Sequence, residues 1–297
     1  MQLSQEFKER TIAAMMADRA NYPSDAKHAT ALGIAPSVYN AIKKGNTEKQ
    51  LKDASWLSLG RRLSVPLRAE IEWKAAKTAT FSYITQQLEA CQSRGLSGLL
   101  CDIPNIGKSF AARHYARTHK HVVYIDCSQT KTKVRLVRAI AVGFGLDAKG
   151  RYEEIYADLV YYLSGLDTPL VILDEAGDLQ YEAFLELKAL WNATEYRCGW
   201  YMMGADGLRA KIERSIDGRK VGYTELFSRF GDAYRQISPL DGEERKAFLL
   251  QQAVEVAKLN APKEVDAVSL ARKAGGLRKV YTEIEKLKLQ GTQLGEA

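Results

Sequence analysis

The stretch Asp102–Ala116, DIPNIGKSFAARHYA, decides how the rest of the chain is read. It follows the apolar run LSGLLC (Leu96–Cys101), and its Gly107-Lys108-Ser109 opens a helical pattern, so a strand passes through a loop straight into a helix N-terminus. Such a loop cradles phosphate, because backbone N–H groups and the positive end of the helix dipole converge on one point. Pro104, Asn105, Ile106, Gly107, Lys108, Ser109 and Phe110 form the expected binding segment, with Lys108 reaching the terminal phosphates of ATP and the Ser109 hydroxyl holding Mg²⁺. Two residues depart from the usual loop. Asparagine at 105 is the next best choice after glycine for a left-handed backbone. Asp102 stands where glycine is usual, and its carboxylate costs phosphate affinity unless it points away or belongs to the strand end.

About 65 residues further on, PLVILDE (Pro169–Glu175) buries four apolar residues and delivers two carboxylates to a strand's C-terminal edge, where open α/β sheets bind ligands. Asp174 is the expected Mg²⁺ partner, and Glu175 the group that polarises an attacking water. Asp206, after the run GWYMMGA (Gly199–Ala205), is a candidate for orienting that water, and equally a surface turn acid. Arg229 ends a helix, where it either projects to a neighbouring subunit's nucleotide or complements its own helix dipole. Arg278 lies in the first turn of the last helix, an end that disfavours cations, which points to an anionic contact such as nucleotide phosphate.

Working outward, HVVYIDC (His121–Cys127) and AYRQISPL (Ala233–Leu240) complete five short runs separated by amphipathic helices. Apolar runs without alternation imply a parallel sheet covered on both faces. The expected fold is α/β, a five-stranded parallel sheet in a core of residues 81–240, preceded by a helical region 1–64 and a linker 65–80, and followed by a helical lid 241–297. In the first region, SDAKHATALGIAPSVYNAIKKG (Ser24–Gly45) has helix-turn-helix grammar: a small-residue helix, Gly33 at the turn, then Pro36 opening a second helix whose Val38 and Ile42 point inward. Ser37, Tyr39, Asn40 and Lys43 are then expected to face a DNA groove, and Lys44, Lys49 and Lys52 phosphates, the alternative being a helical bundle for protein contacts.

The chain has 297 residues, with 43 Lys plus Arg against 36 Asp plus Glu, a net charge of +7 that suits a polyanionic partner. A hydrophobic share of 46% with 27% charged residues excludes a disordered, collagen-like or disulfide-framework chain. The four widely spaced cysteines read as reduced buried thiols, and His114, His119 and His121 lack the carboxylate or thiol neighbours of a zinc site. No run is long enough to span a bilayer and the opening lacks a signal peptide's apolar block, so the expected setting is cytoplasmic, away from membranes. The segment SQTKTKVRLVRAI (Ser128–Ile140) carries Lys131, Lys133, Arg135 and Arg138 without an acid. Thr130, Lys131, Thr132, Lys133 and Arg135 are expected to meet DNA phosphate at a helix start, against the alternative of a solvated face.

The phosphate loop, acidic strand, Arg229 and Arg278 occur in the order of AAA+ ATPases, and over roughly residues 24–290 the chain resembles the AAA+ transposition regulators of the Mu protein B, TnsC and IstB type. That resemblance implies an ATPase that binds double-stranded DNA without sequence preference, assembles on it as a helical oligomer, presents it to a transposase and is released by hydrolysis. Ala205 departs from it, since Asn, Thr or Ser is frequent there. A helicase loader or initiator shares the same motifs. A nucleotide-responsive transcription regulator, which reads an operator as a dimer, and a signalling NTPase with a protein-binding head are the readings from other classes.

Overall fold

Three of the apolar runs form five-residue strands, β1 (Ser97–Cys101), β2 (Val122–Asp126) and β3 (Leu170–Asp174), and a fourth forms β4 (Gly199–Gly204). The computed structural model describes residues 3–46, 50–63, 65–67 and 73–295, with side chains described as far as residue 288. The strands pair in parallel in the order β1-β4-β3-β2. Every residue of β3 and β4 is buried, as a strand covered on both faces requires. Alternate side chains go to opposite layers. Leu99, Val171, Leu173, Trp200 and Met202 pack on α7 (Lys133–Gly143), α8 (Tyr152–Gly165), α9 (Tyr181–Ala193), α10 (Asp206–Asp217) and α11 (Tyr223–Arg229). Leu100, Leu170, Ile172, Tyr201 and Met203 pack on α5 (Ala79–Arg94) and α6 (Lys108–Thr118). Burying each such leucine, isoleucine or methionine side chain contributes roughly 1.5–3 kcal/mol, so the sheet is a rigid platform for whatever its edge carries. The four cysteines are free and buried among these layers.

The sheet has four strands among the described residues, not five. Residues 233–240 run beside β1 but make one parallel bridge, Leu100 with Arg235, in which the Cys101 N–H donates to the Arg235 carbonyl at 3.0 Å and the Arg235 N–H to the Leu99 carbonyl at 3.1 Å. Further along, the N–H groups of Ile237 and Ser238 go to the Asp102 carboxylate instead of to β1, at 2.6 and 2.9 Å. A side chain has taken the donors that a longer strand would have spent.

The head contains α1 (Gln5–Asp18), α2 (Asp25–Leu32), α3 (Pro36–Lys43) and α4 (Asp53–Arg62) around its own core of Phe7, Met15, Leu32, Tyr39, Ile42, Trp56 and Leu59. Ser24 caps α2 by accepting from the Lys27 N–H at 3.2 Å, and Gly33 ends it with φ 68°. A side chain at 33 would also strike the Arg62 guanidinium, whose Nη2 lies 2.8 Å from an ideal Cβ. The head leans on the sheet-bearing core at the far end of α7, where the Tyr22 hydroxyl donates to the Gly143 carbonyl at 3.3 Å and Lys27 lies over the Tyr162 ring at 5.3 Å.

The lid consists of α12 (Gly242–Asn260), α13 (Ala267–Ala274) and α14 (Leu277–Gly295), packed through Ala253, Ala257, Ala271, Val280 and Ile284. Part of the expected linker adheres to it. The Lys74 N–H donates to Asn260 Oδ1 at 2.8 Å, Asn260 Nδ2 returns a bond to the Lys74 carbonyl at 3.1 Å, and Trp73 meets Tyr281 edge-on at 4.9 Å. Residues 64 and 68–72 of that stretch lie outside the described residues.

Candidate nucleotide-binding site

Register brings three strand ends to one edge. Cys101 of β1 lies opposite Gly204 of β4, and Leu173 of β3 opposite Met202, so Asp102, Ala205-Asp206 and Asp174-Glu175 leave the sheet side by side. Between β1 and α6 the loop turns through left-handed residues at Asn105, φ 67°, and Gly107, φ 97°. Ile106 is fully buried and anchors the loop, while Pro104 and Asn105 are exposed and Gly107, Ser109 and Phe110 half-buried. Among the described residues, no hydrogen bond is donated by the backbone N–H of Gly107, Lys108 or Ser109. Helix geometry leaves those donors for a ligand. The Lys108 ammonium instead donates to the carbonyls of Asp102 and Ile103, at 2.8 and 2.7 Å. Burial pushes its pKa down, opposed by Asp102, Asp174, Glu175 and Asp206. The charges of those four acids are all felt at one cation.

Asp102 points away from the loop interior. It is 1% exposed, and its carboxylate accepts from the N–H groups of Ile103 (2.7 Å), Ile237 and Ser238 and from the Ser238 hydroxyl. Three backbone N–H groups and a hydroxyl thus stabilise the buried charge from within the chain. The departure from glycine is a strut between the loop and the entrance to the lid. Sequence reading identified the condition under which Asp102 is harmless, and missed its partners because they lie 135 and 136 residues away.

Asp174 is buried at the end of β3, with Oδ1 accepting from the Glu175 N–H at 2.9 Å and Oδ2 from the Tyr124 hydroxyl at 2.6 Å. Burial and the Asp174 charge raise the Tyr124 pKa well beyond its ordinary value, so the phenol stays a donor. Tyr124 was not among the expected site residues; its signal was one polar-tipped ring within an apolar strand, which needs a partner. Glu175 is exposed and sits in a left-handed backbone, φ 51°, a conformation costing about 1 kcal/mol or more that concentrates at functional positions. Partial desolvation at the strand end and the Asp174 charge push its carboxyl pKa up, against the pull of Lys108. A carboxylate with a raised pKa is a better proton acceptor. Asp206 is exposed in the first turn of α10, and Ala205 brings no polar group to the edge.

Two expected contributors stand apart from this cluster. Arg229, at the end of α11, spends Nε on Asn192 Oδ1 at 2.6 Å and Nη1 on the Glu225 carbonyl at 2.8 Å, with its guanidinium over Trp191. No described contact joins it to Lys108, Asp174 or Glu175. The Arg278 side chain is exposed, and it is the residue's backbone N–H that meets the loop, donating to Asn105 Oδ1 at 3.2 Å. Gly276 permits that approach, since a Cβ there would lie 2.9 Å from Asn105 Nδ2. The lid therefore closes directly on the phosphate loop.

The donor set fits a magnesium–nucleotide pair: three unspent N–H groups at a helix start, a lysine on the same loop, a Ser109 hydroxyl with no described partner, and a buried carboxylate with lone pairs left after two bonds.

Of the expected DNA contacts, the basic run opens α7. Thr132 caps that helix by accepting from the Arg135 N–H at 3.5 Å, and the Thr130 hydroxyl donates to the Asp126 carbonyl at 3.2 Å. Lys131, Lys133 and Arg135 are exposed. Lys131 pairs with Asp178 at 3.3 Å, and Lys133 lies over the Tyr152 ring at 5.2 Å. The run is acid-free in sequence only. In the head, Ser37, Asn40, Lys44 and Lys52 are exposed, and Lys43 is exposed but pairs with Asp25 at 2.8 Å. Tyr39 does not face a groove: it is fully buried and its hydroxyl meets His28 Nδ1 at 2.9 Å, while His28 Nε2 meets Asp18 at 3.1 Å. Positions 39 and 42 are one helical turn apart, so Tyr39 shares the inward face of Ile42. Lys49 lies outside the described residues.

A phosphate loop and an acidic strand end on a β1-β4-β3-β2 parallel sheet with a helical lid give the chain the α/β AAA+ fold of an ATPase, and residues 91–212 match the family model described as AAA domain. Within that class the chain is similar to the Mu-like prophage FluMu DNA transposition protein B of Haemophilus influenzae, 26% identical over 201 residues, which cover 66% of this chain and 68% of the relative. It is also similar to the ATP-dependent target DNA activator B of Escherichia phage Mu and to that of Escherichia phage D108, each 30% identical over 183 residues, or 61% of this chain. The chain spans 55% of the length of those two phage relatives. Among solved structures it is similar to the Orc1 protein of Aeropyrum pernix in complex with DNA, with a TM-score of 0.47 and 18% identity over 70% of this chain and 58% of that one. Among the described residues, no helix is long and apolar enough to cross a membrane.

Proposed function

We propose that the chain is an ATP- and Mg²⁺-dependent binder of double-stranded DNA that assembles on it as a helical oligomer, presents it to a transposase in the cytoplasm, and lets go on hydrolysis. The observation that carries this reading is a shared turn. The strand that ends in Asp174-Glu175 continues into residues 176–178, whose Asp178 pairs with Lys131, and the Gln180 N–H then donates to the Lys131 carbonyl at 2.8 Å. The acid expected to act on ATP is thus three residues from a partner of the basic run, so a change at one is felt at the other. The relatives named for ATP-dependent target DNA activation support the same coupling.

In this mechanism the Gly107–Ser109 N–H groups and Lys108 bind the phosphates, and Lys108 exchanges its two carbonyl partners for them. Ser109 and Asp174 hold Mg²⁺, which when bound neutralises phosphate charge. Glu175 takes the proton of the attacking water, helped by Asp206. Arg229 acts on the nucleotide of the adjoining subunit, consistent with its distance from its own cluster, and Arg278 reaches the phosphates from the lid. Lys131, Lys133 and Arg135, with Thr130 and Thr132, hold DNA phosphates, and Asn40 and Lys43 of the head add contacts.

Electron microscopy of the protein with long duplex DNA tests the reading. Filaments are expected with ATP, and absent without it or with Lys108→Ala. Nucleotide-indifferent binding of dimers at one defined sequence would replace this function with that of a transcription regulator.

A further inference from the structure

We infer that Tyr124 is a positioning residue for the metal-bound nucleotide, its hydroxyl setting the plane of the Asp174 carboxylate. The inference rests on the magnesium–nucleotide reading above. A carboxylate at a strand end rotates freely unless both oxygens are tied. Here the Glu175 N–H takes Oδ1 from the chain side and the Tyr124 hydroxyl takes Oδ2 from the neighbouring strand, at the 2.6 Å typical of a phenol donating to an anion. Each oxygen keeps lone pairs beyond these two bonds.

The ring is held in turn. Tyr124 packs beside the layer formed by α5 and α6, and Arg113 of α6 lies over its face, 5.7 Å from the centroid. The same Arg113 donates through Nε to the Ser109 carbonyl at 3.1 Å. Tyr124 and Arg113 therefore link, from beneath, the two residues expected at the metal, Ser109 and Asp174. Phenylalanine would fill the same space in β2, and Asp174 is the one described partner of the hydroxyl, so the oxygen serves the carboxylate and not the packing. Groups that orient a metal-binding carboxylate are worth about 10-fold or more in metal affinity.

The test is the Mg²⁺ dependence of ATP binding by the full chain, read from a fluorescent ATP analogue titrated with Mg²⁺ and, for a direct signal, from the electron paramagnetic resonance of Mn²⁺ with ATP. Tyr124→Phe should raise the half-saturating Mg²⁺ and Mn²⁺ concentrations about 10-fold, and leave nucleotide affinity in chelator within about twofold. Asp174→Asn, measured beside it, should raise them at least as much. If Asp174→Asn shifts the metal dependence and Tyr124→Phe does not, including the case where Tyr124→Phe only lowers the melting temperature, the positioning role is overturned. If neither shifts it, the metal reading of the strand end fails and takes the inference with it.

Discussion

Replacing Asp102 by glycine restores the residue usual at that point of a phosphate loop, and it should weaken this protein. The carboxylate is buried and accepts from two backbone N–H groups and one hydroxyl of Ile237 and Ser238, besides the adjacent Ile103 N–H. Hydrogen bonds to a charged group contribute about 1.5–3 kcal/mol each, and a buried donor left without a partner costs about 1–3 kcal/mol. Because one carboxylate serves all the long-range donors, their losses overlap, and water entering the gap recovers part. The net is about 3–5 kcal/mol, a large share of the stability of any domain. For a domain of this size that lowers the melting temperature by roughly 10 °C. Differential scanning calorimetry measures it, and limited proteolysis localises it: cleavage near Leu240, already 80% exposed, should accelerate as the entrance to the lid loosens. A variant that melts at or above the native temperature, with unchanged cleavage at that segment, would refute the strut.

Glu175→Gln should bind ATP normally and hydrolyse it at least about 100-fold more slowly, as loss of a general base requires. Because the Glu175 pKa is raised, hydrolysis by the native protein should fall with acidification at a pH above the ordinary carboxylate range, and steady-state rates against pH check the sign. Replacing Lys131 and Lys133 together by alanine should weaken binding to unrelated duplexes equally and flatten the salt dependence by about one to two units per protomer, read from fluorescence anisotropy at several salt concentrations, with ATP binding retained. Arg229→Ala should leave ATP binding to protomers intact while hydrolysis and assembly fall, and mixing it with Lys108→Ala subunits should restore some turnover; a dead mixture would place Arg229 in its own subunit.

Most of the sheet and the loop were legible because their signals are local. PLVILDE and GWYMMGA bury both faces of their strands, LSGLLC nearly so, and HVVYIDC, at the sheet edge, buries one face fully and the other in part, while Gly107-Lys108-Ser109 announces a helix start by itself. The lid helices were bounded by their own caps, Asp241 before α12 and Gly275 after α13. What escaped depends on partners remote in sequence. AYRQISPL resembles a strand, but two of its donors belong to Asp102, a competition visible only once both segments are folded. Lys131 meets Asp178 from another loop, and Asp174 meets Tyr124 from the next strand. Tyr39 was misplaced for a different reason: phenols are common on recognition surfaces, and the buried His28 that partners this one inside is 11 residues away. Its spacing from Ile42 already held the information.

The two attachments of the lid to the phosphate loop have a mechanical consequence. The chain leaves that loop's neighbourhood at Ser238, pinned by Asp102, runs through α12 and α13, and returns at Gly276–Arg278, pinned by Asn105. The pins lie three residues apart on one loop. The lid is also tied to α5, whose Thr80 N–H donates to Gln252 Oε1 of α12 at 3.2 Å. Residues 102 and 105 therefore carry load between loop and lid: anything that grips the lid from outside bears on the loop, and anything that settles in the loop bears on the lid.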